Sequence, residues 1–154
     1  MVRQMRKVIV LSAVSGTGKS TYAKSLAGLH REGSVCIVST DTYFLVDGEY
    51  RYDPTKISEA HAQCFKEFLG ALWLGHALVI VDNTNLSQRE ISPYMLGAAA
   101  LGYEAEIHTL RSRDPRIGLR NLHGVPLGEQ KDQRKRLDNL QLVPWWPHRE
   151  IWVD

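Results

Sequence analysis

The residues best suited to chemistry gather around one stretch, AVSGTGKS, running from Ala13 to Ser20 and followed at once by Thr21. A small residue, four residues, then Gly-Lys-Ser is the spacing of a phosphate-binding loop, with Ala13 where the pattern has glycine. Gly16 and Gly18 allow positive φ, so successive N–H groups turn inward toward phosphate oxygens. A helix beginning near Lys19 adds the positive end of its dipole. Ser15, Gly16, Thr17, Gly18, Lys19, Ser20 and Thr21 are therefore the expected nucleotide-binding set. Within it Lys19 should reach the β- and γ-phosphates and Ser20 should ligate Mg²⁺.

Phosphoryl transfer also needs an aligned acceptor and neutralised charge. Asp41 follows the apolar run VCIV (Val35 to Val38), and its place beyond a strand end makes it the candidate for deprotonating an acceptor hydroxyl. Asp82 follows ALVIV (Ala77 to Val81) as a metal-orienting carboxylate does; it would contact Mg²⁺ through water or orient Ser20, and bonding to turn backbone is the competing role. Arg116 and Arg120, one turn apart after the helix-starting pair Asp114 and Pro115, would bring guanidinium groups over the phosphates as a cationic lid.

These groups need a frame. KVIVL (Lys7 to Leu11) before the loop, VCIV and ALVIV are too short for helices and lack polar alternation, as strands buried on both faces do. YEAEIHTL (Tyr103 to Leu110) alternates, which suggests a strand exposed on one face, as at a sheet edge. Ile57, His61, Cys64, Phe68 and Leu72 recur with helical spacing, predicting an amphipathic helix over Thr55 to Leu74 after an Asp53–Pro54 start. Ser87 and Glu90 read as a capping box, although Pro93 implies either a second start or one kinked helix. A basic helix is expected from Leu127 to Leu140. Strands alternating with helices give the expected class: α/β, a three-layer phosphate-loop fold with a small parallel sheet of about four strands and a helical lid. Ligands then bind at the carboxyl ends of the strands, where the loop, Asp41 and Asp82 all fall.

At 154 residues one domain is expected over 1–154, with the lid near 114–136 and an aromatic tail at 141–154. A hydrophobic fraction of 44% with 23% charged residues argues against disorder, and no apolar run is long enough for a membrane span. A basic, apolar start over Met1 to Leu11 mimics a signal peptide, but cleavage there would destroy the phosphate loop, so none is expected. Cys36 and Cys64 suit free thiols in a reducing cytoplasm rather than a disulfide frame or structural metal. The net charge is only +2, yet basic residues crowd the segment from Arg111 to Arg136, which would suit polyphosphate, nucleic acid or a solvated surface. Trp145, Trp146 and Trp152 in the tail are expected to cover a sheet edge or pack on the core, ahead of stacking on a single strand.

STDTYF (Ser39 to Phe44), DNTNL (Asp82 to Leu86) and RNLHGVP (Arg120 to Pro126), in that order after GTGKS, resemble the 5′-hydroxyl kinase domain of bacteriophage polynucleotide kinase. They are closer still to the kinase-like domains of eukaryotic ubiquitin-ligase-binding proteins, over about residues 7 to 140. The resemblance implies a four-stranded parallel sheet, ATP with Mg²⁺, and transfer of the γ-phosphate to a nucleic-acid hydroxyl. It implies Asp41 as general base, Lys19 and Ser20 as phosphate and metal contacts, and Arg120 as the lid arginine. Where the phage enzyme holds the acceptor's phosphate with an arginine, three residues after the base, this chain has Phe44. That substitution leaves Phe44 or Tyr43 to stack on a flipped or modified base, or a smaller acceptor to be used. A kinase for a nucleoside or other metabolite, and a nucleotide-dependent binding module without transfer, are the alternative functions.

Overall fold

Four of the apolar or alternating runs are strands: β1 (Lys7–Ser12), β2 (Val35–Val38), β5 (Leu78–Val81) and β6 (Glu104–Arg111). A computed structural model describes residues 5–114 and 124–154. Along β1, Val8 and Val10 face one core while Ile9 and Leu11 face another; Val79 and Val81 against Leu78 and Ile80 divide β5 the same way. Both faces of these strands are covered by helices, which is why neither run carries polar alternation. The helices are α1 (Lys19–Ala27) on one face, with α2 (Ile57–Leu74) and α3 (Gln88–Ala100) on the other. A Cβ at Gly97 of α3 would stand 3.2 Å from the Phe68 ring of α2, so glycine permits the close approach of these two helices.

The sheet has five strands, all parallel, where about four were expected. Its order is β2-β5-β1-β6-β7, and the fifth strand, β7 (His148–Trp152), comes from the aromatic tail. It pairs with β6 from Ile107↔His148 to Arg111↔Trp152, which makes β6 an interior strand. Glu104 is exposed, but Glu106 and His108, which also suggested an exposed face, belong to a largely buried network. His108, 4% exposed, is reached by the Tyr22 hydroxyl at Nδ1 (2.7 Å) and meets Glu106 Oε1 through Nε2 (2.7 Å). Lys7 lies 3.5 Å from the other Glu106 oxygen. Pairing polar groups in this way removes the cost of burying them.

The stripe buried on α2 is Ala60, Cys64, Phe68, Ala71 and Leu72; His61, expected in the stripe, is exposed. A short 3₁₀ turn, Pro54–Lys56, precedes α2, with the Asp53 carboxylate accepting from the Thr55 N–H at 2.9 Å. α3 runs unbroken through Pro93, and Ser87 Oγ caps it by accepting from the Glu90 N–H at 3.2 Å. The basic helix is α4 (Leu127–Asp138), ending slightly before the expected Leu140. Between β2 and α2 the chain makes a 3₁₀ turn, Thr40–Phe44, and a two-stranded ribbon, β3 (Leu45–Val46) with β4 (Glu49–Tyr50). Asp47 and Gly48, both at positive φ, form the tight turn between them. No helix among the described residues is long and apolar enough to cross a membrane.

Candidate active site

The phosphate loop leaves β1 at Ser12 and re-enters regular structure at Lys19, the first residue of α1. Gly16 (φ 82°) and Gly18 (φ 99°) take the left-handed backbone conformation that reverses the chain. Thr17 closes the loop on itself, donating from Oγ1 to the Val14 carbonyl at 2.7 Å. The N-terminus of α1 therefore opens onto the bend, with its N–H groups and dipole available to an anion.

Every residue of the DNTN run makes at least one tie at the end of β5. Ser20 Oγ donates to Asp82 Oδ2 at 2.9 Å. Asn83 Oδ1 accepts from both the Thr40 N–H (2.8 Å) and the Thr40 hydroxyl (3.1 Å), while its Nδ2 donates to Cys64 Sγ at 3.5 Å. The Thr84 carbonyl accepts from the Ala13 N–H at 2.9 Å. Asn85, at positive φ (48°), donates to the Leu11 carbonyl and accepts from Ser12 Oγ, each at 2.7 Å. This short run thus fastens the phosphate loop, the end of β1 and the start of the Asp41 turn to one strand end. Ser20 and Asp82 are hard oxygen donors held together, the kind of partial shell Mg²⁺ takes up when phosphate oxygens and water complete it. Among the described residues no group of three or more His, Cys, Asp or Glu forms a metal cage.

Asp41 is positioned from two sides. Its own N–H donates to Ser39 Oγ, the cap of the 3₁₀ turn, at 3.2 Å. The Tyr50 hydroxyl, delivered by the ribbon, donates to Oδ1 at 3.2 Å. Burial and the Asp41 charge push the Tyr50 phenol well above its ordinary range, so it remains a donor at neutral pH. Burial pushes the Lys19 ammonium down from its usual value, opposed by the charges of Asp82 and Asp41. Lys19 thus feels the charge of both carboxylates, and a polyphosphate bound in the loop would add further negative charge beside it.

These groups share one cavity of about 560 Å³. The loop residues Ser15, Gly16, Gly18, Lys19, Ser20 and Thr21 form one side of it, and Thr40, Asp41, Asp82 and Asn83 the floor. Tyr50, Tyr52, Ile57 and His61 wall the Asp41 end; Gly124 to Pro126, Glu129 and Gln133 wall the α4 side. Gln133 is buried and accepts from the Ser15 N–H at 2.9 Å, so α4 rests directly on the phosphate loop. The structure thus brings together the expected loop residues, Asp41 and Asp82.

Two expected acceptor contacts are placed elsewhere. Phe44 is 3% exposed and packs edge-on against Tyr43, Tyr50 and Tyr52, so its ring has no open face for a base. Tyr43 turns outward, its hydroxyl donating to Glu59, and lines a separate groove with Phe44, Arg51 and Lys56. Arg116 and Arg120 lie outside the described residues. Much of the remaining basic run is paired surface: Arg111 bridges Asp138 and Glu150, Arg136 meets Glu90, and Arg113 lies 4.4 Å over the Trp152 ring. The residues sequence reasoning missed are Tyr50, Tyr52, His61, Asn83 and Gln133. Of these, Tyr50 had a signal: Asp-Gly between apolar flanks in LVDGEY marks a hairpin that would return a tyrosine toward Asp41.

A family model described as an AAA domain, AAA_33, matches residues 8–123. The chain belongs to that family. It is a kinase-like P-loop domain, and the loop, DNTN run and Asp41 turn just described lie within the matched span. It is 32% identical over 122 residues to NEDD4-binding protein 2 of Homo sapiens, covering 77% of this chain and 7% of that protein. It is 32% identical over 106 residues to a candidate bifunctional polynucleotide kinase/RNA ligase of Autographa californica nuclear polyhedrosis virus, covering 64% of this chain and 15% of the viral protein. The chain therefore spans a small part of either relative. In fold it is similar to a gluconokinase from Sinorhizobium meliloti 1021, with a TM-score of 0.61 at 14% identity, covering 98% of this chain and 85% of the other.

Proposed function

We propose that this domain transfers the γ-phosphate of ATP to a hydroxyl of a polynucleotide, either a 5′-OH end or a hydroxylated nucleotide, in the cytoplasm. One observation carries the transfer reaction: a carboxylate held by Tyr50 faces the loop lysine across a single cavity, beside the Ser20–Asp82 pair. The similarity to the viral kinase/ligase favours a polynucleotide as acceptor. The chemistry follows from those positions. The acceptor oxygen attacks the γ-phosphorus in line, the bond to the β-phosphate oxygen breaks, ADP leaves, and Asp41 takes the acceptor's proton. Lys19 and the α1 N-terminus hold the transferring charge, and Ser20 with Asp82 would hold Mg²⁺, which would supply further positive charge to the phosphates when bound. Arg116 and Arg120 are assigned to the charge over the phosphates.

The test is incubation with γ-labelled ATP and a panel of 5′-hydroxyl DNA, RNA, modified-base DNA and free nucleosides. Label should enter a polynucleotide; its absence from every strand sinks the acceptor assignment. Salt separates the metabolite alternative, because polynucleotide affinity falls by roughly one log unit per log of salt for each phosphate contacted.

A further inference from the structure

The Asp41 end of the cavity is built from rings. Tyr50 and Tyr52 stand on either side of Arg51 in the chain, and Phe44 fixes both: its centroid lies 6.2 Å from Tyr50 at 72° and 5.1 Å from Tyr52 at 61°. Tyr50 is committed through its hydroxyl to Asp41, whereas the Tyr52 side chain is 54% exposed. His61, one turn into α2 and exposed, stands on the same wall. Among the described residues, Arg51 and Lys56 line another groove. Arg51 donates to Glu49 at 2.9 and 3.2 Å. Among the described residues the cavity's one lysine or arginine is Lys19, at the phosphate-loop end.

This wall presents an exposed ring, Tyr52, braced edge-on by the buried Phe44, and an exposed aromatic face is where a flat heterocycle stacks. We propose that the acceptor is recognised by its base, stacked on Tyr52 beside His61. The inference rests on the kinase reading above and assigns its acceptor subsite. It moves the stacking role from Phe44 and Tyr43, which are turned away, to Tyr52.

The experiment uses a 5′-hydroxyl strand carrying 2-aminopurine at its 5′ terminus, with a non-hydrolysable ATP analogue present. Stacking on Tyr52 should quench the fluorescence on binding, and Tyr52→Ala should abolish the quench. With ATP, Tyr52→Ala should raise KM for the strand roughly 5- to 150-fold, the range of one lost base stack, with KM for ATP unchanged. Tyr52→Phe should restore both readouts, because the ring and not the hydroxyl is used. An abasic 5′-terminal residue should mimic Tyr52→Ala. The proposal is overturned if the abasic strand is phosphorylated as well as the normal one. If no strand accepts label, 2-aminopurine riboside separates the claims. Quenching by the wild type but not by Tyr52→Ala keeps the ring subsite and removes only the polynucleotide assignment, whereas no quenching removes the subsite.

Discussion

Asn83→Ala removes a side chain that is 6% exposed and holds the turn bearing the candidate base. Its Oδ1 accepts two hydrogen bonds from Thr40, at 2.8 and 3.1 Å, and Thr40 immediately precedes Asp41. Alanine leaves the Thr40 N–H and hydroxyl without that acceptor in a half-buried place, and the Cys64 thiol without its Asn83 donor. Each unsatisfied group costs about 1–3 kcal/mol, and solvent reaching the half-buried Thr40 recovers part, so a loss of about 2–4 kcal/mol is expected. Releasing the turn also lets the Asp41 carboxylate drift, and a displacement of about 1 Å costs on the order of 10²-fold in turnover. The phosphate loop and the Ser20–Asp82 contact are not touched by the change. Urea unfolding should therefore show the stability loss, while steady-state assays show kcat falling 10- to 100-fold with ATP affinity within about twofold. Asn83→Asp keeps the acceptor oxygens, so it should recover part of the stability. Wild-type stability together with wild-type kcat in Asn83→Ala would refute the claim that this residue positions the base.

Two further outcomes follow from the same geometry. Asp82→Asn weakens the oxygen pair with Ser20, so half-maximal transfer should require at least about tenfold more Mg²⁺, checked by titrating the metal at saturating ATP; an unchanged requirement removes Asp82 from the metal site. Burial holds the His108 imidazole below its ordinary pKa, against the attraction of Glu106 and with Arg149 and Lys7 adding to the depression. Between that lowered value and about 6.5 the unfolded chain binds a proton that the folded chain does not, so stability should fall as pH drops below about 6.5. Thermal unfolding from pH 7.5 to 5.5 should show this slope, and His108→Asn should flatten it. Glu106 is held below its usual carboxylate value, so its own contribution is lost only at lower pH.

The phosphate loop and the two fully buried strands were legible because a chain buried on both faces must spend consecutive residues on apolar side chains, as VIVL and LVIV do. The fifth strand was not, because HREIW lies at the sheet edge with most of its side chains exposed, and no apolar run marks it. β6 misled for a related reason: Glu106 and His108 look like a wet face but satisfy each other and Tyr22 inside the protein. At the site, residue types were readable and directions were not. Phe44 sits three residues beyond Asp41 whether its ring points in or out; the capped 3₁₀ turn sends it into the aromatic cluster, and the ribbon then brings Tyr50 and Tyr52 forward. Gln133 reaches Ser15 across a sequence separation that no local pattern encodes. Of the two cysteines expected as buried free thiols, Cys64 is buried and Cys36 only half-buried.

In the proposed reaction Asp41 accepts the proton of an attacking hydroxyl while Lys19, Ser20 and Asp82 hold the donor. Asp41→Asn keeps the shape and removes the basicity, so ATP binding and γ-phosphate transfer to a 5′-hydroxyl strand should be measured on the same preparation. ATP affinity within about threefold of wild type, with transfer reduced by about 10²-fold or more, is the predicted result. Equal transfer rates in Asp41→Asn and wild type would contradict it.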